Sequence, residues 1–79
     1  MNQKWQPVAK QNVPKHIQDE LLHTRIEPFH GQRLSFLYEN TNSPPYITVT
    51  WRYSYTRDSW HRCLSATPAW RRPKPSPQP

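Results

Sequence analysis

The clearest pattern in the chain is an alternation. From Tyr46 to Thr56, Ile47, Val49, Trp51, Tyr53 and Tyr55 take every second position, with Thr48, Thr50, Arg52 and Ser54 between them. A period of two, filled with β-branched and aromatic residues, predicts a half-buried strand. "RLSFLYE" (33–39) reads as a second strand and "WHRCLS" (60–65) as a shorter third. "FHGQ" (29–32) holds the one glycine and reads as a turn, "NTNSPP" (40–45) is a loop, and "RDS" (57–59) can turn again. Ahead of the strands, "NVPKHIQDELLHTRIEP" carries Ile17, Leu21 and Leu22 at helical spacing, with Val13 and Ile26 extending the stripe. Asn12 and Pro14 suit its start, and Pro28 stops it, so the spacing predicts a helix over 14–26.

Pairing Glu39 with Tyr46 across the first loop sets Phe36 opposite Val49 and Leu34 opposite Trp51. Pairing Thr56 with Ser59 sets Tyr55 opposite Trp60 and Tyr53 opposite Arg62. Side chains alternate between faces, so this register gathers Leu34, Phe36, Tyr38, Ile47, Val49, Trp51, Tyr53, Tyr55, Trp60 and Leu64 on one face. The helix is expected to lie across it. The predicted core is Ile17, Leu21, Leu34, Phe36, Ile47, Val49, Trp51, Tyr53 and Leu64. The predicted fold is therefore α+β: one amphipathic helix packed on a three-stranded antiparallel β-meander. The folded domain is expected over residues 12–66. A flexible, disordered basic arm (1–11) precedes it, and a basic, proline-rich extended tail (67–79) follows. Proline at every second position from Pro73 to Pro79 favours polyproline II. The same spacing leaves the tail without the i, i+3 prolines that aromatic-groove domains read.

Composition narrows the function. Seventy-nine residues, 33% of them hydrophobic, allow one small domain. The single cysteine excludes an intramolecular disulfide framework, and no apolar run reads as a signal peptide or membrane span. A soluble, cytoplasmic protein is expected, with no membrane role. The net charge of +6 is uneven. Lys4 and Lys10 in the first arm and Arg71, Arg72 and Lys74 in the tail supply five of those charges. The six cations of residues 13–65 nearly balance the five acids.

Catalytic chemistry finds little support. One glycine cannot build a phosphate-cradling loop, and neither a nucleophile elbow nor a zincin motif occurs. His16, His23 and His30 recur every seven residues, about 10.5 Å apart on a helix, too far to share one zinc. His61 and Cys63 point to one side of a strand but would need a further ligand such as His30. Neither an enzyme, a cofactor nor a metal is expected.

Binding remains. A helix of three turns cannot cover the whole sheet, which leaves Tyr38, Tyr55 and Trp60 near the strand ends as candidate partner-binding residues. Tyr46 and Arg52 join them from the opposite face. Trp, Tyr and Arg dominate interface hot spots, and sheet edges can accept a strand. The expected function is a small non-enzymatic regulator or accessory subunit that binds a protein partner through its aromatic-rich sheet. Homodimerisation through a sheet edge is a variant of this. The alternative is nucleic-acid binding assisted by the basic arms, through Lys4, Lys10, Arg33, Arg52, Arg57, Trp70, Arg71, Arg72 and Lys74.

Overall fold

A computed structural model describes residues 4–72. The described residues form a small α+β fold: one helix on a five-stranded antiparallel sheet, where the pattern predicts three strands. The strands are β1 (Gln6–Val8), β2 (Glu27–Phe29), β3 (Gln32–Asn40), β4 (Ile47–Ser54) and β5 (Ser59–Ala66), and the helix is α1 (Lys15–Leu21). In space the strand order is β1-β5-β4-β3-β2. The three long central strands make the expected meander, and a three-residue strand is added on each side. Short 3-10 turns at Lys10–Asn12 and Ala69–Arg71 flank it.

The two added strands are the ones the pattern could not predict. Each is three residues long with a proline at its centre, Pro7 in β1 and Pro28 in β2. Pro7 stands opposite His61 and Pro28 opposite Arg33, between the pairs that close the ladder. Proline is tolerated there because its missing N–H would face outward from the edge. Residues 6–8 of the arm expected to be loose are therefore part of the sheet.

Helix α1 ends four to five residues earlier than its apolar stripe suggests. Leu22, His23 and Thr24 bond back three residues, to Asp19, Glu20 and Leu21. The Thr24 hydroxyl also donates to the Glu20 carbonyl at 2.8 Å. These contacts tighten the last turn. Leu22 and Ile26 are consequently exposed, and the chain extends to pair Glu27–Phe29 with β3. The β2–β3 connection is a two-residue hairpin in which His30 (φ 46°) and Gly31 (φ 78°) both adopt positive φ. That backbone is the one a two-residue hairpin with native twist requires.

The register departs from expectation in an instructive way. Glu39 pairs with Val49 rather than Tyr46, an offset of three residues. An odd offset turns every β3 side chain to the other face. Ser35, Leu37 and Glu39 therefore face the helix, while Leu34, Phe36 and Tyr38 face away. Across the second turn Tyr53 pairs with Trp60 rather than Arg62, an even offset that preserves both faces. The first offset arises because Thr41 lengthens the pairing. Its N–H donates to the Ile47 carbonyl at 3.0 Å, and its hydroxyl accepts from Ile47 N–H at 2.8 Å.

The helix-side core is Val13, Ile17, Leu37, Trp51 and Trp60, with Val8, Leu21, Val49 and Tyr53 packed around it. Trp51 and Trp60 meet edge to face, with ring centroids 6.5 Å apart. Of the predicted core, Leu34 is buried on the opposite face, Phe36 is half-buried there, and Leu64 is exposed. Leu37, which the expected register turns away from the helix, is core. The polar residues that share its face are used. Ser35 Oγ donates to the Arg25 carbonyl at 2.9 Å and meets the Tyr55 hydroxyl at 3.1 Å. Glu39 accepts from the Trp51 indole at 3.0 Å.

Candidate binding surfaces

The face away from the helix is covered in its middle by one residue of the N-terminal segment. Trp5 lies 6.2 Å from the Phe36 ring, and the Arg52 guanidinium sits 4.3 Å from the Trp5 ring centroid. The cation rests on the indole face, a favourable contact for arginine. Arg52 is half-buried, and burial draws its pKa below the usual arginine range. Cys63 on the same face is buried. Sequence reasoning missed Trp5, whose surroundings are polar and without period.

Beside this cluster, about 140 Å³ of space opens at the β4–β5 turn, lined by Arg52, Arg57, His61, Ser54, Ser59 and Phe29 among others. Ser54 Oγ is occupied, accepting from Arg57 N–H at 3.1 Å and approaching Gln32 Oε1 at 3.4 Å. Ser59 Oγ is buried without a hydrogen-bond partner. The His61 imidazole is held below its ordinary pKa by burial and by the nearby charges of Arg52 and Arg57.

The sheet edges form the second surface. Arg33 accepts from Tyr55 N–H at 2.8 Å, which fixes the alternation of the β3–β4 ladder. Odd-numbered residues of β3 turn their backbone groups to β4, and even-numbered ones turn outward. Strand β2 answers Gln32 and Leu34 but stops there. Among the described residues, no strand pairs the outward backbone groups of Phe36, Tyr38 and Asn40. On the other side β1 answers Trp60 and Arg62, and Leu64 and Ala66 lie beyond it. Tyr38 is 58% exposed and Leu64 57% exposed, so each open stretch carries an apolar side chain.

The other sequence-predicted residues are dispersed. Trp60 is 4% exposed and belongs to the core, which corrects its expected exposure. It packs inside the helix, Trp51 and Tyr53, with the Tyr53 ring centroid 5.0 Å away. Tyr55 is half-buried, its ring edge-on to Tyr53 at 4.8 Å. Tyr46 and Arg52, expected to be free, are both engaged internally. The Arg72 guanidinium sits 5.1 Å from the Tyr46 ring and its Nε donates to the Thr67 carbonyl at 3.0 Å. Trp70 is 82% exposed, with Arg71 5.7 Å from its ring centroid.

The cations do not converge on one surface. Arg57 lies at the β4–β5 turn, while Arg72 lies by Tyr46, at the other end of β4, and Arg71 by Trp70. Lys10 sits in the turn before α1, Lys4 precedes β1, and Arg33 lies on β3 opposite Pro28. Lys74 lies outside the described residues. His61 and Cys63 share a face of β5, but no group of three or more potential metal ligands gathers among the described residues. No described helix is long and apolar enough to cross a membrane.

Comparison with protein families, with curated proteins and with solved structures finds no match for this chain.

Proposed function

We propose that the protein is a non-enzymatic regulator or accessory subunit that binds a protein partner along the open edge of β3, beside Tyr38. The observation that carries this reading is the mismatch in strand length. Strand β3 has nine residues, and its outer neighbour covers only the first three. The uncovered part offers outward main-chain donors and acceptors with an exposed tyrosine at their centre. Main-chain pairing supplies affinity in strand addition, and the alternate side chains supply specificity. Unpaired edges of this kind are sites that proteins otherwise blunt.

The test uses the backbone. Tyr38→Pro removes one outward N–H while leaving the β3–β4 ladder intact, and Tyr38→Ala removes only the side chain. A partner identified by co-purification from the native host is reconstituted with purified protein. Slowed amide exchange at Tyr38 and Asn40 in the complex, with binding lost in the proline variant, is the expected result. Undiminished binding by Tyr38→Pro would refute the edge. A second copy of the chain on this edge would appear as a concentration-dependent dimer in sedimentation, abolished by the same substitution.

Nucleic-acid binding is the second reading, favoured by the exposed Trp70 with Arg71 beside its ring. Exposed rings stack on bases, and adjacent cations neutralise phosphate. Salt-sensitive gel retardation that weakens in Trp70→Ala tests it. Absence of retardation at low ionic strength would exclude it.

A further inference from the structure

The space lined by Arg52, Arg57 and His61 carries an inference separate from the edge reading. Neither guanidinium has a carboxylate partner: the ion pairs among the described residues are Lys15–Asp19 and His16–Glu39. All five acidic residues of the chain are described. Asp58 is the nearest in sequence, and it accepts from the Tyr53 hydroxyl at 2.5 Å. Glu27 stands opposite Leu34 on the edge strand and does not line the space. Two arginines and an imidazole therefore line one small hollow with no carboxylate partner among the described residues to balance them. A buried serine hydroxyl on the same lining, Ser59 Oγ, also lacks a partner. Native folds answer nearly all buried polar groups.

We propose that this hollow is a binding site for a phosphate group, held by Arg52, Arg57 and His61. The planar forks of arginine match the oxygens of a tetrahedral oxyanion better than a point charge does. Arg52 is pre-oriented by its stack on Trp5, which reduces the entropy lost on binding. The volume of about 140 Å³ equals the bulk share of roughly five waters. It is well below the ~300 Å³ at which whole-ligand pockets begin, so the site fits the anionic group and not a nucleoside. Phe29, 57% exposed on the rim, can pack against whatever carries the phosphate.

The source of the phosphate is distinguished by two probes, inorganic phosphate and phenyl phosphate. Each is titrated into the full chain at constant ionic strength, with chloride as the reference anion and His61 followed by NMR. Saturable binding is expected, with the His61 pKa moving up as the anion favours imidazolium. Tighter binding of phenyl phosphate assigns an ester whose body rests on Phe29, and equal binding assigns free phosphate. Arg57→Gln lies on an exposed turn, keeps its backbone bond to Ser54 and should weaken binding about ten-fold. Arg71→Gln, at the far end of the sheet, should leave it unchanged. Non-saturable shifts, or equal affinity in wild type and Arg57→Gln, would overturn the proposal.

Discussion

The Trp51 indole N–H donates to one carboxylate oxygen of Glu39 at 3.0 Å, tying the central core ring to an acid on the neighbouring strand. The other oxygen of Glu39 meets His16 Nε2 on the helix. One carboxylate thus answers a buried donor and holds α1 to the sheet. This is why an acid can occupy the helix-facing side of β3.

Burial by itself would raise the Glu39 pKa, but the hydrogen bonds from His16 and Trp51 bring it below the ordinary value of 4.5. A lowered carboxylate pKa stabilises the fold above the unfolded value, and the stabilisation is lost as pH falls through the folded one. Stability should therefore drop below pH 4.5, and Glu39→Gln should flatten that part of the profile. Glu39→Ala leaves the indole unanswered and should cost about 1–3 kcal/mol at neutral pH. Urea unfolding followed by tryptophan fluorescence across pH measures both.

Tyr53 behaves oppositely. Its hydroxyl donates to Asp58 at 2.5 Å, and this bond, with burial and the Asp58 charge, pushes its pKa up to about 12. Stability from this pair is present below the unfolded value of 10.0 and lost as pH rises through about 12. An ultraviolet titration should show a late tyrosinate step from Tyr53. Asp58→Asn keeps an acceptor and tolerates the positive φ of 51°, so it should bring that titration back toward 10.0 without unfolding the turn.

Gly31 separates backbone from side-chain cost. A Cβ there would meet nothing within 4 Å, yet φ is +78°. Gly31→Ala should therefore destabilise by about 1–2 kcal/mol through conformation alone. His30→Asn, at φ 46°, should be neutral or stabilising by the same reasoning. Chemical denaturation should show a loss of stability for Gly31→Ala and none for His30→Asn.

The three long strands and the glycine turn are legible because each rests on a local signal, and the helix start is legible to within a residue, although Pro14 and not Asn12 is its N-cap. The orientation of β3 was not legible. Its apolar residues fall on both faces, with Leu37 odd and Leu34 and Phe36 even. Only long-range partners choose between them: Trp51 and His16 for Glu39, Trp5 for Phe36. The candidate surfaces suffered for the same reason. Trp60 was displaced from surface to core by a second-turn offset of two, and Tyr46 and Arg52 were covered by rings and cations distant in sequence. The short strands β1 and β2 carry too few residues for any period to show.

The two prolines of the outer strands, at corresponding places on opposite sides of the sheet, bear on how copies of this molecule can assemble. Each removes the outward donor at the middle of its strand, so neither outermost rim can be zipped continuously to another chain. Growth of a ribbon by repeated edge pairing is interrupted at that end of every molecule. A strand added to the uncovered half of β3 would for the same reason be short and finite, so repeated pairing would not extend into a fibre.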